Sequence, residues 1–329
     1  MLPLLRHAAP VRDGMHDMAA SELDLFRDIL MTVTLPIVAL VALGGVLQRK
    51  LKLDIASLNR LQVYVVLPAF LVQYLSTGSQ PLSAVWPIAW LGALSLVVLL
   101  AIGWLATIVA GVGRDNGPMV GLATSYSNSG FFGIPVAALA FGADYVVHQS
   151  VIVSLHSILV VTAGVWLLSG EKRGLIGRLA STFETPMIPA IILGLALKGF
   201  DVEVPSVAAT PLKMIGSIFT PLALFTMGAQ IADTRVTEVG RGALGLIVVL
   251  KLLVAPLVTL WMARAAGLPE DIAAVLTVAA AAPVGMVLTI FAVQFRNKGE
   301  LATMAVLVTT VLSPLTVTLW VLAWRLNLL

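Results

Sequence analysis

The stretch from Thr124 to Pro135 gathers Thr124, Ser125, Tyr126, Ser127, Asn128, Ser129, Gly130, Gly133 and Pro135 into twelve positions of an otherwise apolar segment. A continuous lipid-facing helix does not carry such a run. Proline removes a backbone donor and glycine relaxes the chain, so the pattern predicts a helix interrupted between Asn128 and Pro135. The sequence AAAAPVGM at 279–286 puts Pro283 and Gly285 into a second apolar segment in a similar way. Each interruption frees N–H groups at the start of a half-helix, and that positive dipole end attracts an anion. Unwound backbone at membrane depth is tolerated only where it is buried in protein or lines a cavity. The competing reading is a pair of proline kinks that serve packing alone.

Lys251 is the one Lys or Arg deep inside an apolar segment. Its burial at a helix centre costs about 2.5 to 3.5 kcal/mol, so it must meet a cavity or a partner. Two roles are open: counter-charge to an anion, or a hydrogen bond to carbonyls of a broken helix. His148 and His156 lie eight residues apart. They read as a proton relay, or as an interfacial His148 beside Asp144 and a His156 bonded inside the bundle. No Asp or Glu stands in the middle of any apolar segment, which argues against a carboxylate relay or a charged sodium site. Gln73, Gln230, Thr226 and Met227 are candidates to line a path, with interface anchoring the plainer role for the two glutamines. Tyr126 either closes the site or packs.

The elements that must position these residues follow from composition. Of 329 residues, 59% are hydrophobic and 11% are charged, with a net charge of +3; the mean hydropathy is +1.00. That excludes a soluble globular domain and a phosphate-tracking nucleic-acid binder. With no cysteine there are no disulfides or thiolate metal sites, and nothing in the sequence calls for a cofactor. Apolar runs bounded by Gly, Pro and charge fall at 29–47, 55–75, 86–110, 118–141, 146–168, 180–200, 211–232, 242–263, 271–295 and 301–324. This predicts an all-α integral membrane protein of ten transmembrane helices, preceded by a mobile extension over 1–27. One alternating set of connections holds Arg49, Lys50, Lys52, Arg60, Arg114, Lys172, Arg173, Arg178, Arg235, Arg241, Arg296 and Lys298. That set should be cytoplasmic, which puts both termini on the other side. Pro36 to Pro68 and Pro189 to Pro221 are both 32 residues apart. The local text around the pairs agrees loosely, so a five-span unit over 28–170 appears again over 171–329. Five is odd, and the second copy therefore enters the membrane inverted, as in secondary transporters.

On SNSGFFGIP (127–135), the chain resembles the auxin efflux carrier family, whose plant members show an Asn followed five residues later by Gly-Ile-Pro on a broken fourth helix. LPAFLVQYLSTGSQPL (67–82), AAAAPVGM (279–286) and the last apolar segment with Pro314 are similar to its second, ninth and tenth spans. The resemblance implies two inverted five-helix repeats, with broken helices 4 and 9 crossing at mid-membrane. It also implies a scaffold from helices 1, 2, 6 and 7, a transport domain from helices 3–5 and 8–10, an elevator-like movement and a homodimer. In the family the crossover Asn and free backbone groups hold a carboxylate. That role maps to Asn128, with Pro135 and Pro283 marking the breaks. The substrate-binding set then comprises Ser125, Asn128, Ser129, Gly130, Ala282, Val284, Gly285 and Lys251, with Gly133, Pro135 and Pro283 as helix breakers. The plant members' long central loop is only 170–179 here, so the chain looks like a bacterial, plasma-membrane member. Gly78, Ser79 and Gln80 stand where plant members carry acidic and lysine residues near the pocket. This favours a small organic anion of the malonate or malate kind over auxin. Two other classes remain for comparison: a passive anion channel or sensor, and a membrane serine protease using Ser129 and a histidine. No Walker-type loop for a nucleotide-driven pump is present.

Overall fold

Proline sets the local geometry of the long helices. The computed structural model describes residues 27–77, 85–142, 145–159, 167, 186–294 and 298–326. The extension expected over 1–27 (Arg27 apart), Gly78 to Gln80, Asp144, the connection at 170–179 and the division at 170/171 lie outside the described residues. Helices run over α1 (Arg27–Leu51), α2 (Ile55–Thr77), α3 (Val85–Val109), α4 (Gly117–Ser125), α5 (Ser129–Ala140), α6 (Val146–Leu159), α7 (Met187–Gly199), α8 (Ser206–Asp233), α9 (Arg241–Ala265), α10 (Glu270–Ala281), α11 (Val287–Gln294) and α12 (Gly299–Arg325). Among the described residues, six of these (α1, α2, α3, α8, α9 and α12) are long and apolar enough to cross a membrane. The other four expected spans are either interrupted, as α4 with α5 and α10 with α11, or continue toward residues outside the described set, as α6 and α7. The described chain is all-helical apart from one isolated bridge pair.

Among the described residues, four turns widen to π geometry, at Leu30–Thr34, Gln62–Val66, Ser129–Gly133 and Leu250–Val254. Each ends two residues before a proline: Pro36, Pro68, Pro135 and Pro256. A proline ring crowds the carbonyl four residues back and offers it no N–H; the extra residue of a π-turn relieves that crowding. The freed carbonyl then needs another donor. For Pro256 it is Leu252, and the Trp320 Nε1–H of α12 donates to it at 3.0 Å. For Pro314, inside α12, the Thr310 carbonyl accepts from Ser313 Oγ at 3.0 Å. Trp320→Phe keeps the ring and leaves the Leu252 carbonyl bare, at a cost of about 1–3 kcal/mol. Melting in detergent should fall for this variant and stay put for Trp261→Phe, whose side chain is 70% exposed.

Helix packing depends on two glycines. A Cβ on Gly44 would sit 1.9 Å from the Phe225 carbonyl oxygen, and one on Gly228 would sit 1.9 Å from that of Val41. The backbones of α1 and the second half of α8 therefore touch. α2 packs against α7 and the first half of α8, α3 against α4 and α6, α9 against α10, and α11 against α12. Asp28 pairs with Arg325 at 3.2 Å, joining the start of α1 to the end of α12. Arg325 also donates to the Ala140 carbonyl at 3.0 Å, so α5 ends on that same side. Large apolar side chains such as Leu105, Val207 and Leu315 stand exposed along the helices, where hydrocarbon would cover them.

Candidate functional site

The first interruption lies upstream of its expected position. α4 stops at Ser125, and the non-helical segment is Tyr126–Asn128 rather than Asn128–Pro135. Gly133 and Pro135 fall inside α5, where proline opens the α-helical part and needs no N–H partner. Its effect is the π-turn before it. The second interruption covers 282–286, so Ala282, Pro283, Val284 and Gly285 all lie in the gap between α10 and α11.

The two gaps pair with each other. Ser127 and Val284 form an antiparallel bridge. The Asn128 N–H donates to the Pro283 carbonyl at 2.7 Å, and the Gly285 N–H donates to the Tyr126 carbonyl at 3.2 Å. Thr309 Oγ1 of α12 accepts the Val284 N–H at 3.1 Å. Each break thus satisfies part of the backbone that the other leaves open. Tyr126 lies flat enough on Gly285 that a Cβ there would be 2.1 Å from its Cε1, so Tyr126 packs over the second gap.

Lys251 is wholly buried on α9. Its Nζ donates to Ser127 Oγ at 2.5 Å and to the Thr124 carbonyl at 3.3 Å. Of the two roles the sequence left open, the bond to a broken-helix carbonyl is present in the structure. The ammonium also sits at the C-terminal, negative end of the α4 dipole.

On the other side of the break, His156 Nδ1 lies 2.8 Å from Ser129 Oγ. Gln149 Nε2 donates to the Ser129 carbonyl at 2.9 Å. Gly133 admits that amide, since a Cβ would lie 2.4 Å from it. His148 is buried, and neither ring nitrogen has a hydrogen-bond partner among the described residues. It packs edge-on against Tyr145, whose hydroxyl lies 3.3 Å from Asp271 Oδ2. Ser125 turns its hydroxyl back to the Gly121 carbonyl at 3.0 Å. Gln230 Nε2 donates to Asn59 Oδ1 at 2.8 Å, and Gln62 Nε2 to Thr226 Oγ1 at 3.0 Å, so these residues fasten α2 to α8. Met227 is buried with them and Gln73 is half-buried on α2.

Asn128 remains. The residue is 5% exposed, and its Nδ2 has no hydrogen-bond partner among the described residues. Beside it, Ser129 and Gly130 open α5, where amide groups have no carbonyl one turn behind them. A Cβ on Gly130 would meet nothing within 4 Å, so there is open space at this point. The start of α5 therefore presents uncommitted donors to a gap.

Residues 175–321 match the family model described as membrane transport protein. An uncharacterized transporter of Methanothermobacter thermautotrophicus is 24% identical over 278 residues, which cover 81% of this chain and 88% of the relative. The second half of the chain is thus similar to a family of membrane transport proteins, and most of its length to a transporter. Together with the long apolar helices, these matches point to a multi-pass membrane transporter, not an enzyme. The Ser129–His156 contact, which could be mistaken for a nucleophile and its base, ties α5 to α6. Sequence reasoning did not single out Gln149 or Thr309. Gln149 is a lone amide with no partner at helical spacing, and Thr309 is one of five threonines on α12.

Proposed function

We propose that this protein is a secondary transporter that moves a small organic anion, a mono- or dicarboxylate of the malonate or malate kind rather than auxin, across a bacterial plasma membrane. The observation that carries the proposal is the buried, unpartnered Nδ2 of Asn128 at the open start of α5. A buried donor without a partner is costly, and a carboxylate oxygen is the acceptor that would satisfy it together with the Ser129 and Gly130 amides. Ala282, Val284 and Gly285 complete the gap from the other side, and Lys251 supplies positive charge from behind the break.

The carrier is built as two inverted five-helix repeats, 28–170 and 171–329, whose broken fourth and ninth helices cross at mid-membrane. The exchange of partners supports this. If each span is matched to the one five places later, α1 on α8 becomes α7 on α2, and α3 on α4 becomes α9 on α10; all four contacts occur. The Asp28–Arg325 pair supports an even number of spans with both ends on one side, the non-cytoplasmic side by the distribution of Lys and Arg. A scaffold of spans 1, 2, 6 and 7 forms the homodimer, and spans 3–5 and 8–10 move as an elevator.

Uptake into liposomes holding the purified protein, with a panel of mono-, di- and indole carboxylates, tests the reading. Saturating uptake, with exchange of labelled for unlabelled anion, is expected. Flux that never saturates and shows no exchange would instead indicate a channel, and failure of every carboxylate to move or bind would discard the site.

A further inference from the structure

Among the described residues, Lys251 has no acidic partner. Its two partners, Ser127 Oγ and the Thr124 carbonyl, are neutral. Helices α3, α4, α10 and α12 pack around α9. Their acidic residues are confined to first turns, at Glu270, Asp271 and Glu300, with Asp115 ahead of α4. The Arg264–Glu270 and Arg325–Asp28 ion pairs lie at helix ends. The other titratable groups at this point are His156, engaged with Ser129, and Tyr126, edge-on to His156. A lone ammonium in such a place is costly unless a negative charge comes to it. The anion site begins at Asn128, the next residue after the Ser127 that the ammonium holds.

We propose that Lys251 takes up one proton when the anion binds and gives it back when the anion leaves, so that each anion crosses together with one proton. The inference rests on the carboxylate reading above. Loaded, the site holds an ammonium and a carboxylate; empty, it holds a neutral amine, and the helices return without an unpaired charge in hydrocarbon. Anion and proton then favour each other's binding reciprocally. The proton comes from water on the loading side, forms the third N–H of Nζ, and leaves to water on the release side; no bond in the anion breaks.

The structure also provides a stepping point for the proton. A cavity of about 20 Å³ touches Ser127, Ser125, His156, Ser95 and Thr259, enough for one water with several polar neighbours. The hydroxyl that holds Lys251 faces this cavity, and the imidazole across it reaches Ser129 at the mouth of the anion site. A permanently charged brace would need neither the hydroxyl-lined cavity nor a histidine beside it.

The wild-type protein in liposomes decides the matter, with the voltage clamped at zero by potassium and valinomycin and labelled malonate as probe. One proton per anion predicts about tenfold accumulation for an interior one pH unit more alkaline. Accumulation that ignores the pH gradient, or that follows a sodium gradient instead, overturns the proposal. Lys251→Arg holds the charge fixed. It should still exchange labelled for unlabelled malonate at a reduced rate and lose the tenfold accumulation; if it keeps that accumulation, Lys251 does not carry the proton. Exchange without a pH response sinks this inference alone, whereas absence of exchange with every carboxylate sinks the substrate reading and this one with it.

Discussion

Asn128→Ala lowers carboxylate uptake at subsaturating concentration by about ten- to a hundredfold, the loss of a hydrogen bond to a charged group worth roughly 1.5–3 kcal/mol. The same variant leaves the melting temperature of the empty protein unchanged or slightly raised. The reason is that Nδ2 is buried and satisfies nothing when the site is empty, so its removal relieves a desolvated donor rather than breaking a bond. This opposite response separates a binding role from a structural one. A residue that braced the break would lose stability and transport together. The measurement is uptake kinetics alongside melting in the same detergent, and an Asn128→Ala protein that melts early while binding carboxylate normally would show the amide to be a brace.

Gly228→Ala should have the largest effect on the fold. The added methyl would lie 1.9 Å from the Val41 carbonyl oxygen and 2.6 Å from its carbon, both backbone atoms that cannot turn aside. Overpacking of this kind typically costs about 1–3 kcal/mol and more where nothing can yield, so α1 and α8 must separate. Gly45 lies on the same seam, yet its Cβ would stand 3.4 Å from the Gly228 oxygen, an ordinary contact. The expected result is a poorly yielding, early-melting Gly228→Ala protein beside a near-normal Gly45→Ala protein. Equal melting of the two would mean that the helices are not in backbone contact.

The sequence carried the positions of the two breaks to within a few residues, because clusters of glycine, proline and hydroxyl side chains are rare in apolar helices. It misplaced the first break for a physical reason: Pro135 acts on the turn before it, and a π-turn absorbs the clash without ending the helix. What stops α4 at Ser125 is the extended pairing of Ser127 with Val284, a contact between segments more than 150 residues apart. No local pattern encodes that. The partner of Lys251 was open for the same reason, since helix periodicity says that the lysine is buried but not which carbonyl it will meet. Gln149 and Thr309 are single polar residues whose importance exists only in three dimensions. Asn128 was a candidate from its polar neighbours and from the family resemblance, whereas its lack of a partner among the described residues shows only in three dimensions.

The short bridge between the two gaps also bears on how the half-helices hold together. Four half-helices, α4, α5, α10 and α11, converge on the bonds Asn128 N–H to Pro283 and Gly285 N–H to Tyr126. If one half-helix tilted on its own, it would strip both bonds in a place shielded from bulk water. Such a joint resists shear between its members. In the carrier proposed above, a push on any one of these half-helices would therefore be felt by the other three.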